Sequence, residues 1–451
     1  MERTLTKETV NKIGQKVHVM GWIDRLRDHG GVLFFDLWDR SGILQVVVKE
    51  IKGELHPQDV VSIMGEVKKR PAGTENKELS TGKVEIEAQE VEVISKAETL
   101  PFDMGGPDLN LELPTLLDWR ALTLRHPKIA SIFEVQEVVI DAFRKTLKDL
   151  GFAEFQAPII VPATAEGGAE VFPVKYFEHT AYLGQSPQLY KQIMLGVFER
   201  VFTVTHAFRA EPSVTTRHLT EYISLDAEMS FIKSWEEIMD TVEHVVHEII
   251  NAVDKYCSEQ LKMYNTTIPT APQNFPRIKL KEAHDIIYKR TGRDNRSEPD
   301  LSPIDEEEIC RWAKEEKGSD FVFITHYPVK KRPFYTYPDP HDKEFTLSFD
   351  LLGRGLEWVT GGQRLNDYKE LIENIKRWGN NPKDFELYLQ AFRFGMPPEG
   401  GFAMGAERVT MKILGLANIR EASLFPRDME RVDIRLSSQK SKVKSKNGKK
   451  D

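Results

Sequence analysis

Apolar residues near the start of the chain recur with a period of two. Five runs alternate or are β-branched: VHVMGWI from Val17, GVLFFDLWD from Gly31, GILQVVV from Gly42, DVVSIMGEV from Asp59 and KVEIEAQEVEVIS from Lys83. Turn signals at Asp28–Gly31, Asp39–Gly42 and Arg70–Gly73 separate them. Short, evenly spaced strands of this kind predict a small β-barrel of the OB type, with an unspecific β-sandwich as the alternative. In the second run the alternation puts Leu33, Phe35 and Leu37 on one face and Phe34, Asp36 and Trp38 on the other.

Beyond Thr99 the pattern changes. Residues 99 to 114 are rich in Pro, Gly and Asp and read as a hinge. From Ile129 to Leu150 apolar residues fall at helical spacing (Ile132, Val135, Val139, Phe143, Leu147), with Gly151 as the stop, and FAEFQAPIIVP returns to strand character. An apolar strand runs from Arg200 to Phe208, and a second alternating run starts at Tyr222. A Gly-rich stretch from Gly400 reads as a turn before a helix over Val409–Leu416. Residues 265 to 318 hold charged helical stretches without legible chemistry, and the Lys- and Ser-rich end from Gln439 lacks apolar periodicity. The expected organisation is α+β: a barrel at 1–98, a hinge at 99–127, a second domain at 128–436 and a basic tail at 437–451.

Composition narrows the class. The 451 residues exceed one ordinary core, and 40% hydrophobic with 29% charged residues describes a globular protein. There is no apolar run of bilayer length, so a cytoplasmic protein without membrane partners is expected. Cys257 and Cys310 are the two cysteines; neither has metal-ligand spacing, and both read as reduced thiols. The net charge of −8 argues against nonspecific nucleic-acid binding by the whole body but allows a local basic track.

The chemistry concentrates in two distant segments. FRAEPSVTTRHLTEYISLDAEM (Phe208–Met229) sets Arg209 and Glu211 two apart at the end of a strand, followed by a polar turn carrying Arg217 and His218. Residues so spaced share a face, which suits a phosphate held by guanidinium beside a base edge held by carboxylate. GGFAMGAERVTMKILGLANIREASLFPRD (Gly400–Asp428) brings glycines, which permit close backbone approach, and Arg408, a second fixed positive charge.

These segments resemble motifs 2 and 3 of the class II aminoacyl-tRNA synthetases, and further residues resemble the aspartyl branch in its shorter, archaeal-like form, over Val17 to about Pro426. The resemblance implies a catalytic domain built on an antiparallel sheet flanked by helices. It also implies a two-step reaction: aspartate attacks the ATP α-phosphate, and a tRNA ribose hydroxyl then attacks the adenylate. No protein nucleophile is needed, so positioning and charge neutralisation carry the catalysis.

By this resemblance Arg209 holds the α-phosphate, Glu211 the adenine amino group, and Tyr222 and Arg408 sandwich the ring. Arg217 and His218 meet the outer phosphates, and Ala210, Leu219, Gly405, Ala406 and Glu407 complete the ATP site. Glu357, with Thr360 in place of the usual Ser, is the implied Mg²⁺ site. Lys191 and Arg364 are implied to hold the aspartate side-chain carboxylate, a group that is costly to enclose without cations. Glu170, in the loop TAEGGAE after hinge glycines Gly167 and Gly168, takes the substrate ammonium, with Gln188, Arg209, Asp226 and Thr360 as further aspartate contacts. One departure is Ala403, where the family's turn has Gly; its methyl is expected to press on the ATP-facing backbone or to require an adjusted φ.

At the barrel end the resemblance implies that Phe34 stacks on the central anticodon base and Gln45 reads its edge, with Arg25 and Arg27 approaching bases or phosphates. Asp24 and Lys77 occupy positions bearing on the third anticodon base but point to different classes, so tRNA(Asp) alone and tRNA(Asp) with tRNA(Asn) both stay open. The unit from Ile129 to about Pro158 resembles motif 1, which implies a homodimer. The alternatives are an asparaginyl enzyme, opposed by Lys191 and Arg364, and a catalytically impaired tRNA-binding paralogue, favoured by Ala403 alone.

Overall fold

The computed structural model describes residues 1–49, 53–162, 171–212, 215–433 and 435–436. The loop holding Gly167, Gly168 and Glu170, and the tail at 437–451, lie outside them. The chain divides into two compact units, Met1–Leu111 and Glu112–Asp451. Within the stretch read as a hinge, Leu113–Asp118 and Arg120–Thr123 are short helices of the second unit.

In the first unit, β1 (Lys16–His29), β2 (Val32–Asp39), β3 (Gly42–Val48), β4 (Val60–Lys69) and β5 (Val84–Ser95) close a barrel in the order β1-β2-β3-β5-β4. Period-two alternation drives closure: Val17, Val19, Ile23, Phe35, Leu37, Leu44, Val46, Ile63 and Ile86 fill the interior. Leu33 packs against this core half-buried, while Phe34, Asp36 and Trp38 face outward. Trp38 stacks on its register partner Trp22, ring centroids 4.5 Å apart. Between Ile23 and Leu26 the β1–β2 register slips, so Asp24 and Arg25 occupy a bulge.

The second unit contains an eight-stranded sheet and a three-stranded one. After β6 (Ala153–Glu154), the strands β7 (Ile160–Val161), β8 (Pro173–Tyr176) and β9 (His179–Leu183) form the small sheet. The large sheet continues with β10 (Arg200–Phe208), β11 (Glu221–Ser230), β12 (Arg277–Lys279), β13 (Phe321–Thr325), β14 (Ser348–Gly353), β15 (Leu356–Arg364) and β16 (Glu399–Gly405). Its order is β12-β13-β14-β15-β16-β11-β10-β6; the central pairs are antiparallel, and β12–β13 and β6–β10 run parallel. Helices Pro127–Asp149 and Glu236–Tyr256 bury their apolar stripes in the core that covers this sheet, where Phe143 meets Phe202 and Phe402 edge to face. Cys257 and Cys310 are buried free thiols, pushed up by burial to about 11 and about 12, which keeps them protonated.

One expectation is overturned. The glycines from Gly400 form no turn: they are the body of β16, inserted between β11 and β15. A Cβ at Gly401 would lie 2.2 Å from the Ala227 carbonyl oxygen and from Glu228 Oε2, and one at Gly400 would lie 2.2 Å from Ile238 Cδ1. The Ala227 carbonyl and the Glu228 side chain crowd Gly401, and Ile238 of the covering helix crowds Gly400, so lack of space and not a bend calls for glycine here. Ala403 needs no adjusted φ either. It sits in regular strand between Asp226 and Thr360, outside the set of residues with positive φ. The helix after the strand starts earlier than expected, at Ala406, and ends at Leu414.

Gly401→Ala is therefore expected to destabilise the second unit by at least about 2 kcal/mol, because the methyl has no space to enter. Urea unfolding followed by tryptophan fluorescence checks this; a midpoint equal to wild type would contradict the packing.

Candidate active site

The antiparallel β10–β11 hairpin forms one wall of an open cavity, and residues of β15, β16, the helix Ala406–Leu414, Ile419 and Asp428 line the rest. Arg209, Glu211, Arg217, His218, Leu219, Tyr222, Glu357, Thr360, Gly405, Glu407 and Arg408 all line it, so residues up to two hundred positions apart in the chain share one surface. Ala210 lies half-buried beside them and Ala406 is in the core. Ala403 contributes its methyl to the lining.

Charges set the electrostatics of this cavity. The Arg209 guanidinium carbon lies 5.5 Å over the Tyr222 ring centroid. Arg408 Nη1 is 3.4 Å from Glu357 Oε1 and donates to the Glu357 carbonyl at 3.3 Å. His218 Nδ1 meets Thr215 Oγ1 at 2.6 Å; burial, then the Arg408 charge, lowers its pKa, so the ring is neutral at pH 7. Arg217 donates to Glu306 Oε2 at 2.7 Å and to the Gly355 carbonyl at 3.0 Å. Glu306 opens the helix Pro303–Lys317, in the segment where no chemistry was legible. Burial, then Glu357, pushes its carboxyl up to about 7, against the opposing pull of Arg217.

Next to the cavity lies a buried ionic network. Lys191, from the helix Gln188–Phe198, places Nζ 3.0 Å from both Asp226 Oδ1 and Glu228 Oε2, and donates to the Phe402 carbonyl at 3.2 Å. Arg364 Nε donates to Glu228 Oε1 at 2.8 Å, and its Nη2 to the Gly401 carbonyl at 3.1 Å. Burial works to raise Glu228, but Arg364 and Lys191 outweigh it and hold this carboxylate below its usual range. Gln188 Nε2 donates to Gln192 Oε1 at 3.0 Å. The two cations expected from sequence are thus joined through a carboxylate, Glu228, that sequence reading did not single out. Its signal was present: Asp226 and Glu228 are two apart on β11 and share a face.

The expected metal position gains a partner. Asp350 on β14 pairs across the strands with Thr360, and Arg332 Nη2 sits 2.8 Å from its Oδ1. Burial, with Glu357 adding to it and Arg332 opposing, pushes Asp350 up to about 6. Among the described residues no cluster of three or more Asp, Glu, His and Cys could hold a metal alone. Arg332 also donates from Nη1 to Thr360 Oγ1 at 3.1 Å, so Asp350 and Thr360 share one guanidinium, and Glu357 is the acid beside them that a Mg²⁺ bound with phosphate oxygens would use.

On the barrel, Arg27 pairs with Phe34 in register, and Asp36, Gln45 and Glu85 form a row across β2, β3 and β5. Phe34 meets His29 edge to face at 5.7 Å, Arg27 Nη2 is 3.0 Å from Asp36 Oδ1, and Gln45 Nε2 donates to Glu85 Oε2 at 2.8 Å. Arg25, in the bulge, is 4.0 Å from Asp24, and Lys77 is exposed in the loop before β5. Arg27, Phe34, Asp36, Gln45 and Glu85 thus share one outward face of the barrel.

Comparison with known proteins agrees with both units. Residues 112–429 match the model of the tRNA synthetases class II (D, K and N), and residues 17–94 match the OB-fold nucleic acid binding domain. The chain belongs to the class II tRNA synthetase family of the D, K and N type. It is 41% identical to the aspartate–tRNA(Asp/Asn) ligase of Deinococcus radiodurans over 96% of this chain and 99% of that one. It is 40% identical to the aspartate–tRNA(Asp) ligase of Pyrococcus abyssi over 93% of this chain and 96% of that one. Among solved structures it is similar to the asparaginyl-tRNA synthetase of Pyrococcus horikoshii complexed with asparaginyl-adenylate, with a TM-score of 0.87, 32% identity and coverage of 96% and 99%.

One pH effect follows from the cavity wall. Glu407 accepts the Ile223 N–H with both carboxyl oxygens, at 3.0 and 3.1 Å, yet burial pushes it up to about 8. A carboxyl raised on folding stabilises the native state while protonated, and that contribution is lost as pH rises through about 8. Between about pH 4.5 and about pH 8 stability is expected to fall by about 1.4 kcal/mol per unit from this group and then to level off, and Glu407→Gln is expected to remove that slope. Denaturant unfolding of both proteins on either side of the transition measures the difference.

Proposed function

We propose that this chain is an aspartate–tRNA ligase that activates L-aspartate with ATP and transfers it to tRNA. The observation that carries the reading is the pairing of Lys191 and Arg364 through Glu228, beside a cavity lined by Arg209, Glu211, Tyr222 and Arg408. An enclosed side-chain carboxylate needs cations close by, which Lys191 and Arg364 supply, whereas the neutral amide of asparagine does not. That weighs against the asparaginyl alternative. Ala403 lies in regular strand, so the adjusted backbone that would have favoured an impaired paralogue is not needed.

In this reading ATP lies in the cavity with its adenine against Tyr222, its amino group on Glu211 and its α-phosphate on Arg209. Arg408, His218 and Arg217 face the outer phosphates. His218, neutral and held by Thr215, donates or accepts a hydrogen bond without adding charge, while the arginines neutralise charge as pyrophosphate leaves. Ala210, Leu219, Gly405 and Glu407 shape the walls, and Thr360 and Gln188 orient aspartate against the cations. Glu357 and Thr360, with Asp350 behind them, would hold Mg²⁺, which would supply further positive charge to the triphosphate. Closeness and alignment of the aspartate carboxylate to the α-phosphorus then account for most of the rate.

The barrel would read the anticodon through Phe34, Gln45, Arg25, Arg27 and Lys77. The relatives are named for tRNA(Asp) alone or for tRNA(Asp/Asn), so both substrates belong to the proposal. A homodimer working in the cytoplasm completes it. No helix among the described residues is long and apolar enough to cross a membrane.

Aspartate-dependent ATP–pyrophosphate exchange tests the reading, with asparagine as the competing substrate. Exchange with aspartate is expected, and exchange with asparagine alone would overturn the proposal. Arg364→Ala is expected to lower kcat/KM for aspartate about a thousandfold, since the carboxylate loses a buried partner. Charging of separate tRNA(Asp) and tRNA(Asn) transcripts then decides between the one-tRNA and two-tRNA forms.

A further inference from the structure

Behind Lys191 and Arg364 lies a carboxyl group that no expected role uses. Glu399, the first residue of β16, is fully buried and pairs in register with Arg364 on β15 and Ser230 on β11. Its Oε1 accepts from Gln192 Nε2 at 2.7 Å, while its Oε2 is buried without any hydrogen-bond partner. Gln192 Oε1 in turn accepts from Gln188 Nε2 at 3.0 Å and from the Tyr388 hydroxyl at 3.1 Å. The orientation of Gln188, a candidate substrate contact, therefore depends on a chain of amides that ends on Glu399.

Resting on the aspartate reading above, we propose that Glu399 is a proton-carrying positioning residue. It anchors Gln192 as a neutral acid, and the pocket accepts a side-chain carboxylate only while Glu399 keeps its proton. The charge balance gives the reason. Lys191 and Arg364 are already matched by Asp226 and Glu228, so the cluster is neutral before any substrate arrives. An ionised Glu399 would leave one negative charge in excess, and a substrate carboxylate would add a second in the same low-dielectric volume. A buried oxygen without a partner is far less costly as part of a neutral acid than as half of a carboxylate.

The groups facing Glu399 act in the same direction. Burial first, then the neighbouring Glu228 on β11, push it well above the usual carboxyl range. Arg364 on β15, Lys191 and Gln192 on the helix Gln188–Phe198 oppose this and do not overcome it. The Tyr388 hydroxyl, on the helix Glu386–Arg393, is a neutral neighbour that donates to Gln192. Substrate and proton are linked reciprocally: the bound carboxylate holds the proton on Glu399, so binding weakens as pH rises through the free enzyme's transition.

The test is the pH dependence of aspartate KM in ATP–pyrophosphate exchange, with wild type and Glu399→Gln compared between about pH 6 and pH 9. The glutamine variant keeps the shape and the neutral charge but has no proton to lose. Above its transition the wild type is expected to lose affinity by about tenfold per pH unit relative to the variant. Parallel profiles in the two enzymes, whatever their absolute KM, would overturn the proposal. Should the variant fail to fold, calorimetric titration of wild type with aspartate in buffers of different ionisation enthalpy decides instead. Proton uptake rising toward one per site supports the linkage, and no uptake at any pH overturns it. Wild-type exchange with asparagine only would remove the functional reading and this inference together, whereas aspartate exchange without linkage removes the inference alone.

Discussion

Burying Lys191 and Arg364 within one cluster constrains almost everything around them. Each cation would be prohibitively costly away from water without a close anionic partner. Glu228 serves both, at 3.0 and 2.8 Å, and Asp226 completes the match for Lys191. Those contacts require four segments to converge: the helix bearing Lys191, strand β11 with both carboxylates, strand β15 ending in Arg364, and strand β16 between the two strands. Glycine at 401 follows from the same constraint. The space a methyl would take beside Gly401 is the space Glu228 uses to reach its cations.

That convergence explains which parts were legible in the amino-acid order. Barrel strands and the helix Pro127–Asp149 were readable because each shows its own face, at period two or 3.6, to one core. Arg209, Glu211 and Arg408 were readable because their local spacing already states a geometry. Glu228, Glu399 and Asp350 were not. Each is an acidic residue in a strand, and what distinguishes it is the cation or amide that another segment supplies. The glycines of β16 misled for a related reason. Their freedom suggests a bend locally, and only the crowded flanking strands reveal that the need is for absent side chains.

The nucleotide side of the site follows another logic. Arg408 with Glu357, Arg332 with Asp350 and Arg217 with Glu306 are each a cation matched to a carboxylate around one cavity. Burial pushes Asp350 up to about 6 and Glu306 up to about 7, with Glu357 raising both. Excess acid at one end and arginines along the walls make a surface suited to a polyanion that brings its own cation. The segment bearing Glu306 carried no motif, yet it sets the position of Arg217. Insertions between motifs can thus tune a site whose residues they do not themselves contain.

The barrel follows a simpler rule, since its face is built from surface residues that sacrifice little stability. Gln45 is already oriented by Glu85 and Arg27 by Asp36, so these outward polar groups are held in place within the barrel itself. Preorganisation of this kind lowers the entropy lost on binding. Asp24 sits in the β1 bulge, where the extra residue turns a side chain out of the regular alternation. Its aim is therefore set by the bulge and not by strand period. A one-residue change in this bulge can redirect an outward side chain while leaving the barrel core untouched.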